Sequence, residues 1–381
     1  MKHARVHGAV RTGRVASDPT IMSLRTVHRA AADLRRGTPV LLTGDKPLVL
    51  LAAETAGPRG LAEFGSLAAE PPVLLLAPIR AAAVLHRPVE PGHPVMALAL
   101  GGDLLALETL RSLADPTLEQ FLPSRPEPAE APVLAASALI LAKLGRLLPA
   151  VLAAPLGPDG IAEAERLGLL SVPAVDLDAY PAAAAAGLRR IASADVPLEG
   201  APNSHIVAFR SEGAAIEHLA IVVGQPETVE APLVRIHSEC FTGDLLGSLR
   251  CDCGAQLRGA IERMGQEGAG VLLYLAQEGR NIGLVNKLRA YTLQDRGLDT
   301  LDANRALGWG ADERNFLIAA TMLDMLGLHH VRLLTNNPDK IAALIACGVD
   351  VVGRESHLFA PNGVNDHYLA TKAERFGHLL D

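Results

Sequence analysis

Short apolar runs alternate with amphipathic segments throughout the first half of the chain. Strands are predicted at residues 39–42, 48–52, 72–77 and 95–100, and helices at 26–36, 135–148 and 159–167. Short apolar runs between turn signals are typical of strands buried in a sheet, whereas the longer segments have helical periodicity. Strands and helices in this alternation indicate a layered α/β domain.

The second half of the chain has the same alternation. Strands are predicted at residues 205–210, 219–223, 233–237, 270–275 and 331–335, and helices at 256–266, 281–296 and 313–326. Asn281 is the expected cap of the second of these helices. Asn337 followed by Pro338 predicts a further helix start, and Gly348 predicts its end. The predicted fold class is therefore α/β in both halves.

A change in composition near residue 200 predicts two domains. All four cysteines and the single tryptophan follow residue 239. Residues 1–200 contain 19 basic and 20 acidic residues, which leaves 16 and 22 for the rest, so the net charge of −7 lies mostly in the second half. The Pro- and Ala-rich stretch 180–203 is the expected join. We expect a mobile basic tail at 1–20, one domain at 21–194 and another at 195–381.

Charge and hydropathy exclude several classes of protein. An acidic chain is atypical of general nucleic-acid binders, which have a basic face. The uncharged, mostly apolar run 131–142 is 12 residues long, whereas a membrane-spanning helix needs about 20, so no membrane partner is expected. The N-terminus lacks the apolar region of a secretory signal. Four cysteines are too few for a disulfide framework, and a cytoplasmic location is expected.

Three cysteines form the strongest chemical signal in the sequence. Cys240, Cys251 and Cys253 are soft thiolate ligands with a spacing that suits Zn²⁺. Three protein ligands leave one position for water, and zinc lowers the pKa of bound water to about 7, which is the catalytic arrangement. Two alternatives remain open: His237 completes a structural zinc site, or the thiols are buried without a metal. Cys347, near a helix end, is expected to be an inert thiol.

Basic residues follow several predicted strands of this acidic half. Thr335 and Lys340 flank a helix start, where free backbone N–H groups and the helix dipole favour a phosphate. Arg235, Arg250 and Arg280 also lie near strand ends, where α/β folds bind ligands. Taken singly, each of these charges is better explained as a solvated surface residue, whereas their shared position at strand ends favours a binding site.

Two acidic residues allow a functional and a structural interpretation. A carboxylate at Glu278 could accept hydrogen bonds from the two donors of a guanine edge, or it could pair with Arg280 at the surface. Asp312 lies where a helix is predicted to begin and could be its N-cap.

Five motifs give residues 195–381 a specific resemblance. They are Arg-Ile-His-Ser-Glu-Cys-Phe-Thr-Gly-Asp (235–244), Ser-Leu-Arg-Cys-Asp-Cys-Gly (248–254), Gln-Glu-Gly-Arg-Asn-Ile-Gly-Leu (277–284), Ala-Asp-Glu-Arg (311–314) and Leu-Leu-Thr-Asn-Asn-Pro (333–338). In this order, these motifs resemble GTP cyclohydrolase II, the enzyme that opens riboflavin biosynthesis.

The resemblance implies a role for each matching residue. The family's zinc ligands fall on Cys240, Cys251 and Cys253. Its GTP-binding residues fall on Arg235, Ile236, His237, Ser238, Glu239, Gln256, Glu278, Gly279, Arg280, Thr300, Thr335 and Lys340. Its proposed proton acceptor falls on Asp312, its proposed nucleophile on Arg314 and an active-site tyrosine on Tyr291. A guanidinium has no free lone pair near neutral pH, so chemistry alone favours Arg314 as a stabiliser of charge, oriented by Asp312.

The first half resembles 3,4-dihydroxy-2-butanone 4-phosphate synthase more weakly, from Ala136 to Tyr180. That synthase has an acidic stretch for Mg²⁺ and substrate, whereas here Thr43-Gly44-Asp45-Lys46 stands in its place. The synthase's His-Thr-Glu is likewise replaced by apolar residues near Leu134. Mg²⁺ needs oxygen ligands, so we expect a catalytically silent relative of the synthase.

The implied reaction is a double hydrolysis of GTP. Pyrophosphate leaves the α-phosphorus, with Mg²⁺ neutralising the polyphosphate, and water activated by zinc attacks C8 of guanine to expel formate. The resemblance of both halves to dimeric enzymes implies a homodimer, since two-fold symmetry is the commonest. Two other functions remain: a non-enzymatic sensor of GTP or zinc, and a bifunctional enzyme that retains the synthase activity.

Overall fold

The computed structural model describes residues 18–89, 92–120 and 122–379. The tail predicted at residues 1–20 falls mostly outside these ranges. Its last residues are helical: Pro19 is the first residue of a helix, and the Asp18 carboxylate accepts a hydrogen bond (2.9 Å) from the Thr20 N–H. This cap and the proline start the helix seven residues before the position that periodicity predicted.

The first half is built on a seven-stranded mixed sheet in the order β5-β4-β3-β6-β2-β1-β7. Its strands are β1 (Val40–Thr43), β2 (Leu48–Ala52), β3 (Val73–Leu76), β4 (Met96–Ala99), β5 (Glu127–Ala129), β6 (Ala150–Pro155) and β7 (Leu170–Pro173). Its helices are α1 (Pro19–Arg35), α2 (Pro58–Leu67), α3 (Pro78–Leu85), α4 (Leu107–Ala114), α5 (Ala135–Leu144) and α6 (Gly160–Leu167). The β1–β7 pair is parallel, and the other pairs are antiparallel.

The second half has another seven-stranded mixed sheet, in the order β14-β13-β11-β12-β10-β9-β8. Its strands are β8 (Leu188–Asp195), β9 (Ser204–Ser211), β10 (Glu217–Val223), β11 (Leu233–Ser238), β12 (Gly270–Leu275), β13 (His330–Leu334) and β14 (Asp350–Glu355). Its helices are α8 (Cys253–Glu267), α9 (Leu284–Asp295), α10 (Thr300–Ala306), α11 (Phe316–Met325), α12 (Pro338–Ala346) and α13 (Asp366–Phe376), with α7 (Ala174–Ala186) leading in from the first half. These two sheets confirm the predicted α/β class.

Four neighbouring strands of the second sheet run parallel. Strands β14, β13, β11 and β12 pair in this way, and β11 and β12 are almost completely buried. The carboxyl ends of parallel strands meet at one edge of a sheet, which is where α/β folds bind their ligands. The segments that follow β11, β12 and β13 therefore converge, and these segments carry the sequence motifs.

The expected join at 180–203 is folded as the end of α7 and the edge strand β8. Ala184 and Ala185 of α7 pack in one apolar cluster with Phe209 of the second sheet. Trp309 and Leu307 likewise pack in a cluster that lies mostly in the first half. The halves share buried apolar cores, so no free linker separates them.

The predicted strands are all present within two residues of their expected bounds, but the helices differ more. The helix predicted from Asn281 begins at Leu284, and Asn281 itself has a φ of +77° in the turn before it. The helix predicted from residue 313 begins at Phe316, with Asn315 as its cap. Helices α2, α3, α4, α7, α10 and α13 and strands β5 to β8 and β14 were not predicted. Among the described residues, no helix is long and apolar enough to span a membrane.

Candidate active site

The three cysteines meet beyond the end of β11. Cys240 follows this strand, a single π-helical turn spans Phe241–Leu245, and Cys253 begins α8. The three Sγ atoms lie within 4.8 Å of one another, and those of Cys240 and Cys251 are 3.8 Å apart. Zn–S bonds of about 2.3 Å at tetrahedral angles put two sulfurs about 3.8 Å apart, so the group fits this metal.

Gly243 lets the cysteines come together. A Cβ at this position would lie 2.8 Å from the Cys251 sulfur and 3.0 Å from the Cys240 sulfur. The Gly243 N–H also donates to the Cys240 sulfur at 3.3 Å. Any residue other than glycine at position 243 would therefore push the ligands apart.

Lys287 on α9 links the cysteines to the next strand end. Its Nζ donates to the Cys240 sulfur (3.0 Å), to the Thr242 hydroxyl (3.0 Å) and to Glu278 Oε1 (2.9 Å). The other Glu278 oxygen accepts from the Phe241 N–H at 2.7 Å. Hydrogen bonds from the other two thiols and the Lys287 charge lower the pKa of Cys240. Glu278 is buried and pairs with Lys287, so its predicted alternative as a surface partner of Arg280 is wrong.

His237 is held by an acid rather than by the cysteines. Its Nε2 lies 3.0 Å from Asp244 Oδ1, and Asp244 Oδ2 accepts from the Cys240 N–H (2.9 Å) and the Tyr274 hydroxyl (3.0 Å). Burial lowers the pKa of His237, partly offset by the Asp244 hydrogen bond. Among the described residues, the candidate metal group contains the three cysteines alone. The alternative in which His237 completes a structural site does not fit this geometry.

A polar chain fixes Arg235 on β11. Arg235 donates from Nη2 to Gln256 Oε1 at 2.5 Å and from Nη1 to the Leu334 carbonyl at 3.1 Å. Gln256 in turn donates to Asp252, which accepts from Lys372 at 2.5 Å. In the described part of the chain, the buried atoms Arg235 Nε and Ser238 Oγ find no hydrogen-bond partner. Unpaired buried polar atoms are costly, and both of these residues line the cleft, where a bound ligand would offer hydrogen-bond partners.

Asp312 and Arg314 form a close bidentate pair. The Arg314 guanidinium donates from Nε (2.8 Å) and from Nη2 to the Asp312 carboxylate and lies over the Phe316 ring, 5.1 Å from its centroid. Although burial alone would raise the pKa of Asp312, its hydrogen bonds from Arg314 lower it. The N-cap interpretation of Asp312 is wrong, because α11 begins at Phe316 with Asn315 as its cap.

Lys340 lies in the first turn of α12 beside this pair. Its Nζ donates to the Ile236 carbonyl at 3.0 Å. Burial, together with the charges of Arg314 and Arg235, lowers the pKa of Lys340 well below its usual value. Burial, with the charges of Lys372, Lys340, Arg280 and Arg314, lowers the pKa of His378 to about 3. Several cations face one space with few acids between them, which is the electrostatic environment of a polyanion site.

These groups line one cleft with about 1010 Å³ of space, open solvent at its mouth included. The cleft brings together the predicted residues Arg235, Ile236, His237, Ser238, Glu239, Cys240, Cys251, Cys253, Gln256, Glu278, Gly279, Arg280, Tyr291, Thr300, Arg314 and Lys340. Asp312 and Thr335 do not line the cleft but contact residues that do or that lie next to it in the chain. Asp312 holds Arg314, and the Thr335 hydroxyl accepts from the Asn337 N–H at 3.1 Å.

The cleft also contains residues that the sequence analysis missed. They are Lys287, Asn304, Tyr368, Lys372 and His378. Lys287 is four residues before Tyr291, so helical spacing could have identified it. Nothing near α13 in the sequence marks Tyr368, Lys372 or His378, which reach the cleft only through the fold.

Known proteins resemble this chain in both halves. Residues 189–356 match the family model described as GTP cyclohydrolase II. A curated GTP cyclohydrolase-2 from Azospirillum brasilense is 47% identical over 370 residues, which is 94% of either chain. Another from Proteus mirabilis is 52% identical over 193 residues, 51% of this chain and 96% of its own. A solved two-domain 3,4-dihydroxy-2-butanone 4-phosphate synthase from A. baumannii aligns with 83% of this chain and 96% of its own at 17% identity and a TM-score of 0.33.

Proposed function

Because this chain belongs to the GTP cyclohydrolase II family, we propose that its cleft hydrolyses GTP to formate, pyrophosphate and 2,5-diamino-6-(5-phosphoribosylamino)pyrimidin-4(3H)-one, the first step of riboflavin biosynthesis. The main support is one arrangement: three thiols within 4.8 Å of one another line the same cleft as Arg280, Arg314 and Lys340. A metal-type donor set and a polyanion site in one cleft suit a substrate with a reactive ring and a triphosphate.

Cys240, Cys251 and Cys253 would hold one Zn²⁺ per chain. When bound, zinc supplies Lewis-acid activation of water for opening of the imidazole ring. Lys287 and the Gly243 N–H both donate to the Cys240 sulfur and hold it as a thiolate. Asp244 anchors the Cys240 backbone, so the first ligand stays in place through contacts of the protein itself.

The triphosphate would lie among the cations at the start of α12. Lys340, Arg314 and Arg280 offer positive charge, and Mg²⁺ carried by the polyphosphate would neutralise the rest. A water oxygen adds to the α-phosphorus as the bond from this phosphorus to the bridging oxygen breaks, and the pyrophosphate leaves with that bond's electron pair while the water loses a proton. Arg314, oriented by Asp312, would stabilise the charge on the α-phosphoryl oxygens as that bond breaks.

Glu278 would recognise the guanine. Its carboxylate is buried and held by Lys287 and the Phe241 N–H, yet each carboxylate oxygen can accept more than one hydrogen bond. The N1–H and the exocyclic amine of guanine are both donors, which matches an acceptor held at this point. Tyr291, whose hydroxyl lies 3.4 Å from that of Thr242, would line the site beside the cysteines.

We further propose a cytoplasmic homodimer. The free thiols of the candidate metal group need a reducing compartment to bind zinc.

For the first half, we propose that it has no synthase activity. Asp45 is the one carboxylate in the loop after β1, and the neighbouring Gly44 faces the side chain of Leu134, where oxygen ligands would be needed.

The test is product formation from GTP and Mg²⁺, followed as formate and pyrophosphate. We expect both from the zinc-loaded protein, and neither from Arg314→Gln with its zinc content unchanged. Arg305→Gln, which alters an exposed arginine of α10, is the matched control and should behave as the wild type. A non-enzymatic sensor of GTP or zinc would instead bind GTP and return it intact.

A further inference from the structure

The first half contacts the cleft walls through charged side chains. Lys143, at the end of α5, places its Nζ 2.5 Å from Glu313 Oε1, and both side chains are about one-quarter exposed. Arg289 of α9 pairs with Glu54 (2.9 Å) and with Asp115 (2.7 Å) of the first half. Isolated exposed ion pairs contribute little to stability. These pairs are partly buried at a shared core, so we infer that they hold the first half and the cleft walls in a fixed relative position more than they add to the free energy of unfolding.

Glu313 is a junction in the segment that carries Arg314. Its Oε1 also accepts from the Gly310 N–H at 2.7 Å. Its backbone N–H donates to the Arg280 carbonyl at 3.3 Å, and its carbonyl accepts from Asn281 Nδ2 at 3.0 Å. The residue between Asp312 and Arg314 is thus tied to the turn after β12 and, through one side chain, to the other half of the molecule.

The turn after β12, at residues 276–283, is also held by contacts with the first half. Arg146, three residues after Lys143, donates to the Ala276 carbonyl at 2.8 Å, and its own carbonyl accepts from Asn286 Nδ2 at 3.0 Å. At Gly283, with a φ of +86°, a Cβ would meet the Arg146 side chain at 3.0 Å. The first half therefore packs directly against the 276–283 turn and the 310–314 segment.

We propose that Lys143, a residue of the half without the cleft, is a positioning residue that holds Arg314 in place through Glu313. Lys143 is presented by a rigid helix, because its neighbours Leu141 and Ala142 are buried in the core of the first half. Arg314 can stabilise a breaking bond only from the correct position, and small displacements of such groups are costly in rate. The proposal rests on the proposed function of the cleft.

The test compares Lys143→Met with Lys46→Met, which removes an exposed lysine of the same half. We expect Lys143→Met to lower kcat for pyrophosphate release by about tenfold to a hundredfold, with KM for GTP and zinc content nearly unchanged. Lys143→Arg, which can still pair with Glu313, should restore most of the rate. If Lys143 had only a structural role, Lys143→Met would reduce the folded fraction and would not lower the kcat of the folded protein while leaving its KM unchanged.

A double-mutant cycle with Glu313→Gln keeps the test valid if one variant folds poorly. If the pair positions Arg314, the double variant loses much less than the product of the two single losses. Independent losses, or a Lys143→Met kcat equal to that of Lys46→Met, would overturn the proposal.

Trp309 gives a readout that does not depend on turnover. It is the only tryptophan, it is buried beside the 310–314 segment, and the Lys143 ammonium lies 5.6 Å from its ring centroid. Acrylamide should quench its fluorescence more strongly in Lys143→Met than in Lys46→Met, and unchanged quenching would count against the proposal. If the wild type released no formate from GTP, the proposed function would fail while this measurement still tested the positioning.

Discussion

The two sheets have the same number of strands but place their loops differently. In the first sheet, β2, β6, β3 and β4 lie side by side and pair antiparallel, so the loops after neighbouring strands emerge at opposite edges. In the second, β11, β12 and β13 run parallel, so the loops after them emerge together. The comparison teaches that adjacent parallel strands bring the loops after them side by side, and so gather chemistry from distant parts of the chain.

The loops of the two halves differ in content as well. Those of the second half bring thiols, arginines and lysines into one cleft. The loop after β1 in the first half packs at Gly44 against the side chain of Leu134. Under the proposed function, the same class of fold is a reaction site in one half and a support in the other.

The largest expected effect is loss of the metal. Cys251→Ser should remove zinc and abolish ring opening, because one of only three protein ligands is gone. Pyrophosphate release should persist, since that step is assigned to Asp312 and Arg314. Metal analysis together with formate and pyrophosphate assays checks this, with Cys347→Ser as the control thiol far from the cleft. Full ring opening by a metal-free variant would remove the proposed role of zinc.

Short-range signals predicted part of this site, and the family resemblance predicted the rest. The spacing of Cys240, Cys251 and Cys253 is a local pattern, and it predicted the group that the structure brings together. The motifs at strand ends could also be predicted from local sequence, because a buried apolar run followed by polar residues is visible in the sequence. Sixteen of the residues expected from these signals and from the resemblance together line the cleft.

Contacts between distant segments were beyond prediction. Lys143 and Glu313 are 170 residues apart, and Lys372 and Asp252 are 120 apart. No local pattern pairs them. Asn281 shows another limit: asparagine is a good helix cap, but it also tolerates a positive φ, and here the turn at +77° uses that property.

The second-largest effect is expected at Glu278, the residue proposed to recognise the guanine base. Glu278→Gln should lower kcat/KM for GTP, because one acceptor becomes a donor that faces guanine donors and Lys287. An unpaired buried polar group costs about 1–3 kcal/mol, which is about fivefold to 150-fold in kcat/KM. ITP, which lacks the exocyclic amine, should be a poor wild-type substrate, and the gap between GTP and ITP should narrow in the variant. Unchanged kcat/KM for GTP would show that Glu278 does not read the base.

A smaller effect is expected from pH. Burial and the neighbouring charges of Arg314 and Arg235 lower the pKa of Lys340, so its ammonium is lost at a lower pH than that of an ordinary lysine. As pH rises through this lowered pKa, the attraction for the triphosphate weakens and KM for GTP should rise several-fold. Lys340→Arg should keep its charge and flatten that rise, because arginine stays protonated. Identical KM profiles against pH in both proteins would exclude Lys340 as the titrating group.

The smallest expected effect tests the proposed difference between the two halves of the molecule. If the first half supports the cleft without chemistry of its own, the full chain should form no 3,4-dihydroxy-2-butanone 4-phosphate from ribulose 5-phosphate and Mg²⁺. Asp45→Asn should leave both this absence and GTP turnover unchanged, because Asp45 is exposed and makes no contact with the cleft. Lys143 lies in the same half, but Lys143→Met should slow GTP turnover. Comparison of the Asp45→Asn and Lys143→Met variants therefore distinguishes support of the cleft from a reaction in the first half itself. Detection of the synthase product, and its loss in Asp45→Asn, would show that the first half retains a reaction site despite the leucine beside its loop.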